Sequence, residues 1–178
     1  MSSAEIQLVR GVVDACREAT DSILEIYGRD DFAIESKDDR SPLTAADMAS
    51  HRCLVAALKR LTPEIPILSE ESAETELDQR RGWGRLWVVD PLDGTREFIK
   101  RNGEFTINVA LVEDHRPMLG VIAVPVTGLA YTGVVGEGAS RWRNWRESQP
   151  IATRRPCPAR PVVLGSRSHA NPRTQAYF

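Results

Sequence analysis

Four carboxylates stand where short apolar runs end. Glu70 and Glu71 follow Ile67-Leu68-Ser69, and Asp90 and Asp93 follow Trp87-Val88-Val89. The second pair belongs to the string Asp90-Pro91-Leu92-Asp93-Gly94-Thr95, in which a proline and a glycine shape a turn. Carboxylates three residues apart across such a turn can converge on one point. Hard cations such as Mg²⁺ take oxygen ligands in a near-octahedral array, and the Leu92 carbonyl between the two aspartates offers another oxygen. Gly94-Thr95-Arg96 reads as the opening of a helix or a nest of N–H groups, and such a turn binds phosphate oxygens. Carboxylates for a metal beside N–H groups for a phosphate is the arrangement that metal-assisted phosphoester hydrolysis needs. Two ions there could bridge the attacking water and the leaving oxygen. Asp-Gly is also a common turn, and an acidic pair in a loop is usually only solvated. Two such acidic ends, each after an apolar run, weigh toward the site.

The elements that must position these acids follow from periodicity. Ile6, Val9, Val12, Val13, Cys16, Ile23 and Tyr27 recur at steps of three and four, which predicts an N-terminal helix stopped by Gly28. Residues 29–40 read as a loop or short hairpin around Phe32-Ala33-Ile34. A second helix is predicted from near Thr44, because Pro42 keeps Ser41 extended. Thr44 and Asp47 have capping-box spacing, and Met48, Leu54, Val55, Leu58 and Leu61 supply the buried stripe. Pro63 and Pro66 close it. Strands are predicted at 65–68, 85–90, 105–112, 119–124 and 129–135, with turns at 114–117, 125–128 and 136–140. Their close succession implies antiparallel hairpins. A short strand at 162–165 and a helix opening in 171–178 complete the chain. The fold class is α/β, a layered α+β sandwich in which two N-terminal helices pack on a large, mainly antiparallel sheet. Residues 1–135 form the unit carrying the metal site, and 136–178 open a second. The expected core includes Val9, Val13, Leu54, Leu58, Val88, Val89, Ile107, Val109, Leu111 and Ile122.

Composition narrows the function class. The 178 residues carry 23 Lys+Arg against 25 Asp+Glu, a net charge of −2, which gives no reason to expect a nucleic-acid binder. No apolar run is long enough to span a bilayer. Met1-Ser2-Ser3-Ala4-Glu5 has neither a basic nor an apolar leader region. Cys16, Cys53 and Cys157 are scattered and suggest no disulfide framework. A cytoplasmic protein is expected; peripheral contact with the inner membrane is left open, and no anchor is encoded. No histidine is placed to partner a nucleophile, which disfavours a Ser/His/Asp hydrolase.

Leu68-Ser69-Glu70-Glu71-Ser72 and the run from Trp87 through Asp90-Pro91-Leu92-Asp93-Gly94-Thr95 to Phe98 resemble two signatures of the inositol monophosphatase-like phosphatases, which are Mg²⁺-dependent and lithium-sensitive. The string from Lys37 to Asp47 is similar to that family's N-terminal motif. Glu97-Phe98-Ile99-Lys100-Arg101-Asn102-Gly103-Glu104-Phe105-Thr106, Pro125-Val126 and Gly165-Ser166-Arg167-Ser168-His169 resemble its 3′(2′),5′-bisphosphate nucleotidase branch. Inositol phosphatases usually have Asn where this chain has Glu97. The resemblance covers nearly the whole chain.

The resemblance implies roles residue by residue. Glu70, Asp90, the Leu92 carbonyl and Asp93 would hold metal, with two or three Mg²⁺ ions in the intact fold. Glu70 would also face the substrate phosphate through metal, and Asp93, Gly94 and Thr95 would hold that phosphate through backbone N–H groups. Glu71 or Asp47, with the Thr95 hydroxyl, would orient the attacking water. The implied reaction removes the 3′-phosphate of adenosine 3′,5′-bisphosphate, giving AMP and phosphate in sulfate assimilation. The partner is then a small nucleotide bisphosphate, and a homodimer is left open. The alternatives are an inositol monophosphatase or fructose 1,6-bisphosphatase activity, or a catalytically silent binding module. The last is raised because relatives continue into a Trp-Asp-x-Ala-Ala motif, which supplies a further metal-site aspartate. Here Trp142 precedes Arg143 and Trp145 precedes Arg146, so the chain reads as a first domain with the opening of a second.

Other residues weigh less. Lys37 could approach the metal. Arg96, Lys100, Arg101 and Arg167 could meet a second phosphate, Arg167 being the strongest of the four. His51 reads as structural, His115 lies in a turn, and His169 is a weak pocket candidate. Trp83 and Trp87 read as packing groups. Trp142 and Trp145 with Arg141, Arg143 and Arg146 form a basic aromatic patch that could stack on bases or be covered by further chain.

Overall fold

Helix α1 (Ser3–Tyr27) buries Val9, Val12, Val13, Cys16 and Ile23 on one face, as the three-and-four spacing predicts. The computed structural model describes residues 3–28, 34–36, 42–72, 82–160, 162–165 and 172–177. Ile6, expected in the apolar stripe, is exposed one turn from the N-terminus of α1. The Gly28 N–H closes the helix on the Leu24 carbonyl at 2.9 Å. Burial pushes the Cys16 thiol up to about 12, so it is an inert packing group.

Strands β1 (Ile34–Ser36) and β2 (Pro42–Thr44) pair antiparallel, so the hairpin lies later in the chain than the one expected around Phe32-Ala33-Ile34, and its second strand falls beyond residue 40. Helix α2 (Ala45–Leu61) starts where Pro42 requires. Its buried face is Ala46, Asp47, Ser50, Leu54, Ala57 and Leu58. Met48 and Val55 are half-buried and Leu61 is exposed. The face is therefore richer in small and polar residues than the predicted stripe. The helices approach closely at the end of α2, where a Cβ on Gly11 of α1 would stand 2.6 Å from Leu61 Cδ2.

The seven-stranded sheet has the order β3-β4-β5-β6-β7-β8-β9. Its strands are β3 (Ile67–Ser69), β4 (Arg85–Asp93), β5 (Thr106–Glu113), β6 (Arg116–Val124), β7 (Leu129–Val134), β8 (Gly138–Arg143) and β9 (Glu147–Ile151). All neighbours are antiparallel except β3 and β4, which run parallel. Asp114-His115 and Asn144-Trp145 both take the paired left-handed conformation that tight two-residue hairpins favour. Strands β8 and β9 are additions to the sequence reading, and β8 takes over the last three residues of the turn predicted at 136–140. Their residues are mostly polar because they lie at the end of the sheet, with β9 the edge strand, where a proline such as Pro150 is tolerated.

Helices α1 and α2 pack on each other and on one face of the sheet. Two expected core residues face the other way: Val88 is 38% and Ile122 49% exposed. Side chains alternate along a strand, so burying Val89, Val121 and Ala123 turns Val88 and Ile122 outward. The apolar run 162–165 forms no strand, and Val162, Val163 and Leu164 are exposed. β9 is the edge of the sheet, and 162–165 does not extend it. The basic aromatic patch is also corrected. Trp142 is 6% exposed, and its Nε1–H donates to Thr132 Oγ1 at 3.0 Å, so its ring is core rather than a stacking platform. Trp87 is likewise buried, donating to Thr62 Oγ1 at 2.9 Å. Helix α4 (Pro172–Tyr177) forms within the segment expected to open one. Among the described residues, no helix is long and apolar enough to cross a membrane.

Candidate active site

The Asp90–Asp93 turn is a β-bulge. Asp90 pairs with Asn108 and Asp93 with Thr106, so three steps on β4 oppose two on β5. On a regular strand, residues three apart face opposite sides; the extra residue lets both aspartates serve one side. Pro91 lacks an N–H and fits such a break in the ladder. Ser50 Oγ on α2 donates to the Pro91 carbonyl at 2.7 Å, and buried Leu92 anchors the loop from below.

After the bulge the chain reverses through Gly94, at φ 95° and ψ 40°, into helix α3 (Thr95–Ile99). A Cβ there would lie 3.1 Å from the Glu104 carbonyl oxygen and 3.3 Å from Phe105 Cα, so only glycine suits both space and conformation. Beneath the turn, Phe98, Phe105 and Tyr27 form a ring triangle with centroids 4.9–5.2 Å apart. The end of α1 thereby fixes α3 against Phe105, the residue that leads into β5.

Parallel pairing brings the other acids to the same place. The Glu70 N–H donates to the Val89 carbonyl at 3.1 Å, setting Glu70 beside Asp90 at the C-terminal ends of β3 and β4. The Asp90 carboxyl is pushed up to about 7, first by burial and then by the charges of Glu70 and Asp93; the Leu92 N–H opposes this in part, and a hydrogen bond with Glu70 adds to it. Asp90 Oδ1 is buried with no hydrogen-bond partner among the described residues. Asp93 Oδ2 accepts from Asn108 Nδ2 at 3.2 Å, and Thr106 Oγ1 donates to Asn108 Oδ1 at 3.2 Å, which fixes that amide's orientation. Three mutually repelling acids with a buried, unsatisfied oxygen make a site short of positive charge, and the donors are the hard oxygens that Mg²⁺ takes. Glu70 and Asp93 remain exposed, and among the described residues no three His, Cys, Asp or Glu side chains are gathered as a ready-made metal site. The cluster is open toward solvent.

The remaining candidates divide. Thr95 Oγ1 lies 3.4 Å from the Leu92 carbonyl oxygen and donates to it. Glu71 is half-buried beside Glu70. Asp47 is 2% exposed in the first turn of α2, one turn before Ser50. Arg96 and Lys100 are exposed, and the Arg101 guanidinium stands 5.8 Å over the Tyr27 ring. Glu97 is buried. Lys37, Arg167 and His169 lie outside the described residues. Sequence reasoning missed Ser50, Thr106 and Asn108. Period-two spacing puts Thr106 and Asn108 on one strand face, a weak signal; nothing local ties Ser50 to a carbonyl 41 residues away.

A family model described as "Inositol monophosphatase family" matches residues 6–177. The chain is 42% identical over 168 residues to the 3′(2′),5′-bisphosphate nucleotidase CysQ of Escherichia coli (strain K12), covering 94% of this chain and 66% of that one. The solved structure of CysQ from Bacteroides thetaiotaomicron, a bacterial member of the inositol monophosphatase family, matches with a TM-score of 0.77 at 38% identity, over 96% of this chain and 66% of that one. An IMPase/NADP phosphatase complexed with Mg²⁺ and phosphate matches with a TM-score of 0.59 at 25% identity, over 67% of this chain and 44% of that one. The chain thus spans about two thirds of the length of its CysQ relatives.

Proposed function

The chain belongs to the inositol monophosphatase family, and on that premise we propose that it is a Mg²⁺-dependent phosphatase that removes the 3′-phosphate of adenosine 3′,5′-bisphosphate. The observation that carries this reading is the bulge that gathers Asp90 and Asp93 beside Glu70, with Asp90 Oδ1 buried and unsatisfied. The similarity to bisphosphate nucleotidases at 42% identity supports the nucleotide over an inositol phosphate.

Glu70, Asp90, the Leu92 carbonyl and Asp93 would hold Mg²⁺. When bound, the metal supplies positive charge that lowers the pKa of water and offsets charge gathering on the phosphoryl oxygens. The backbone N–H groups of Gly94 and Thr95, in the turn that follows the bulge, would hold the 3′-phosphate. Glu71 or Asp47, with the Thr95 hydroxyl, orients the water and takes its proton. The water oxygen bonds to phosphorus as the bond to the 3′-oxygen breaks, and that oxygen leaves with a proton from solvent. The protein would work as a small-molecule enzyme in the cytoplasm.

The test is phosphate release from adenosine 3′,5′-bisphosphate, inositol 1-phosphate and fructose 1,6-bisphosphate under one Mg²⁺ concentration. The nucleotide should be turned over fastest. A faster inositol phosphate reaction would transfer the assignment to that substrate class. Mg²⁺ binding without turnover of any of the three would favour a silent binding module.

A further inference from the structure

Neighbouring residues of α2 hold both acid-bearing turns. Ser50, fully buried, donates from Oγ to the Pro91 carbonyl at 2.7 Å, inside the bulge between Asp90 and Leu92. His51, the next residue, shares a 2.8 Å hydrogen bond between Nδ1 and Ser69 Oγ. Ser69 opens the turn that carries Glu70 and Glu71. That turn is closed on itself: the Ser72 N–H donates to the Ser69 carbonyl at 2.9 Å, and the Ser69 N–H donates to Ser72 Oγ at 3.1 Å. The β3–β4 ladder reaches only to the bond between Glu70 N–H and the Val89 carbonyl, one residue short of Asp90. Residues 91–93 lie past its end.

We propose that Ser50 and His51 are positioning residues: one turn of α2 sets the spacing between the Glu70–Glu71 turn and the Asp90–Asp93 bulge, and so between carboxylates that hold a divalent cation. The proposal rests on the metal-dependent reading above. Like charges at this site repel, and a metal-free cluster relaxes apart unless something holds it. Both bonds end on a backbone carbonyl or a serine hydroxyl, not on a carboxylate. They fix the loops while leaving the acidic oxygens open for ligation. Such outer contacts preorganise a metal site without touching the ion.

The experiment uses Ser50→Ala, His51→Ala and His51→Gln in the 178-residue chain, with Arg52→Ala as the control. Arg52 is an exposed residue of the same helix. Hydrogen exchange is read on the metal-free protein, and Mg²⁺ affinity by calorimetry. Ser50→Ala should speed exchange at residues 92–95 and His51→Ala at 69–72, with the rest of α2 and the β6–β7 amides unchanged. Mg²⁺ should bind about tenfold more weakly in each. His51→Gln, which keeps a hydrogen-bonding group, should recover most of that loss, and Arg52→Ala should match the wild type. Exchange that rises evenly along α2, or stays unchanged at both turns, would overturn the proposal. If the wild type itself bound no Mg²⁺, the metal-dependent reading would fall, and the exchange data would still decide whether α2 holds the turns.

Discussion

Replacing Asp90 by Asn should stabilise the metal-free protein while removing its response to Mg²⁺. The Asp90 carboxyl sits at about 7 against an ordinary 3.8, raised chiefly by burial and then by Glu70 and Asp93. An acid raised in this way binds its proton more tightly in the fold than in the unfolded chain. Its contribution to stability is therefore complete below about pH 4 and is lost as the pH climbs through about 7. The whole displacement corresponds to at most about 4 kcal/mol. The group is only half-buried, and solvent screening reduces this to about 1–2 kcal/mol. Asn keeps the shape and an acceptor for the Leu92 N–H but carries no charge. In EDTA at pH 8 the variant should unfold about 2–8 °C above the wild type, and the difference should vanish near pH 4. With saturating Mg²⁺ the order should reverse, because only the wild type gains binding energy. Differential scanning calorimetry at pH 4, 6 and 8, with EDTA and with Mg²⁺, reads both effects. A variant less stable than the wild type in EDTA at pH 8 would refute the claim that Asp90 is held charged against its surroundings.

The same linkage gives Mg²⁺ a pH signature: its stabilisation of the wild type should grow from pH 5 to pH 8 as Asp90 gives up its proton, and a flat or falling thermal shift would contradict this. Gly94→Ala should cost about 2–4 kcal/mol in urea unfolding, from the left-handed backbone and a Cβ pressed on the fixed backbone of Glu104 and Phe105; an unchanged midpoint would mean the turn is looser than described. Trp142→Phe should cost about 1–3 kcal/mol, since it leaves the Thr132 hydroxyl without its indole donor, yet leave nucleotide KM unchanged. A raised KM would return Trp142 to the binding surface.

Much of the site was legible because its parts are local. Glu70-Glu71 and the Asp90–Thr95 string each announce a turn after an apolar run, and the folded chain brings both to adjacent strand ends. What was not legible depends on partners distant in sequence. The parallel pairing of β3 with β4 spans a long connection, and only that pairing sets Glu70 beside Asp90. Val88 and Ile122 are apolar, but the strand alternation that buries Val89 and Val121 points them to the far face. Strands β8 and β9 carry Arg, Ser, Glu and Gln because they lie at the end of the sheet, within reach of water, so hydrophobic patterning hides them. The Trp142 ring looked available beside its arginines, and only pairing with β7 shows it buried over Thr132.

The central claim is that Asp90, Asp93 and Glu70 form a metal site for phosphate hydrolysis. The most direct measurement is phosphate release from adenosine 3′,5′-bisphosphate by the wild type and by Asp93→Asn, each with Mg²⁺ and with EDTA, alongside their circular dichroism. The wild type should be active only with Mg²⁺, and Asp93→Asn should be folded and inactive. Turnover in EDTA, or full activity in Asp93→Asn, would contradict the claim.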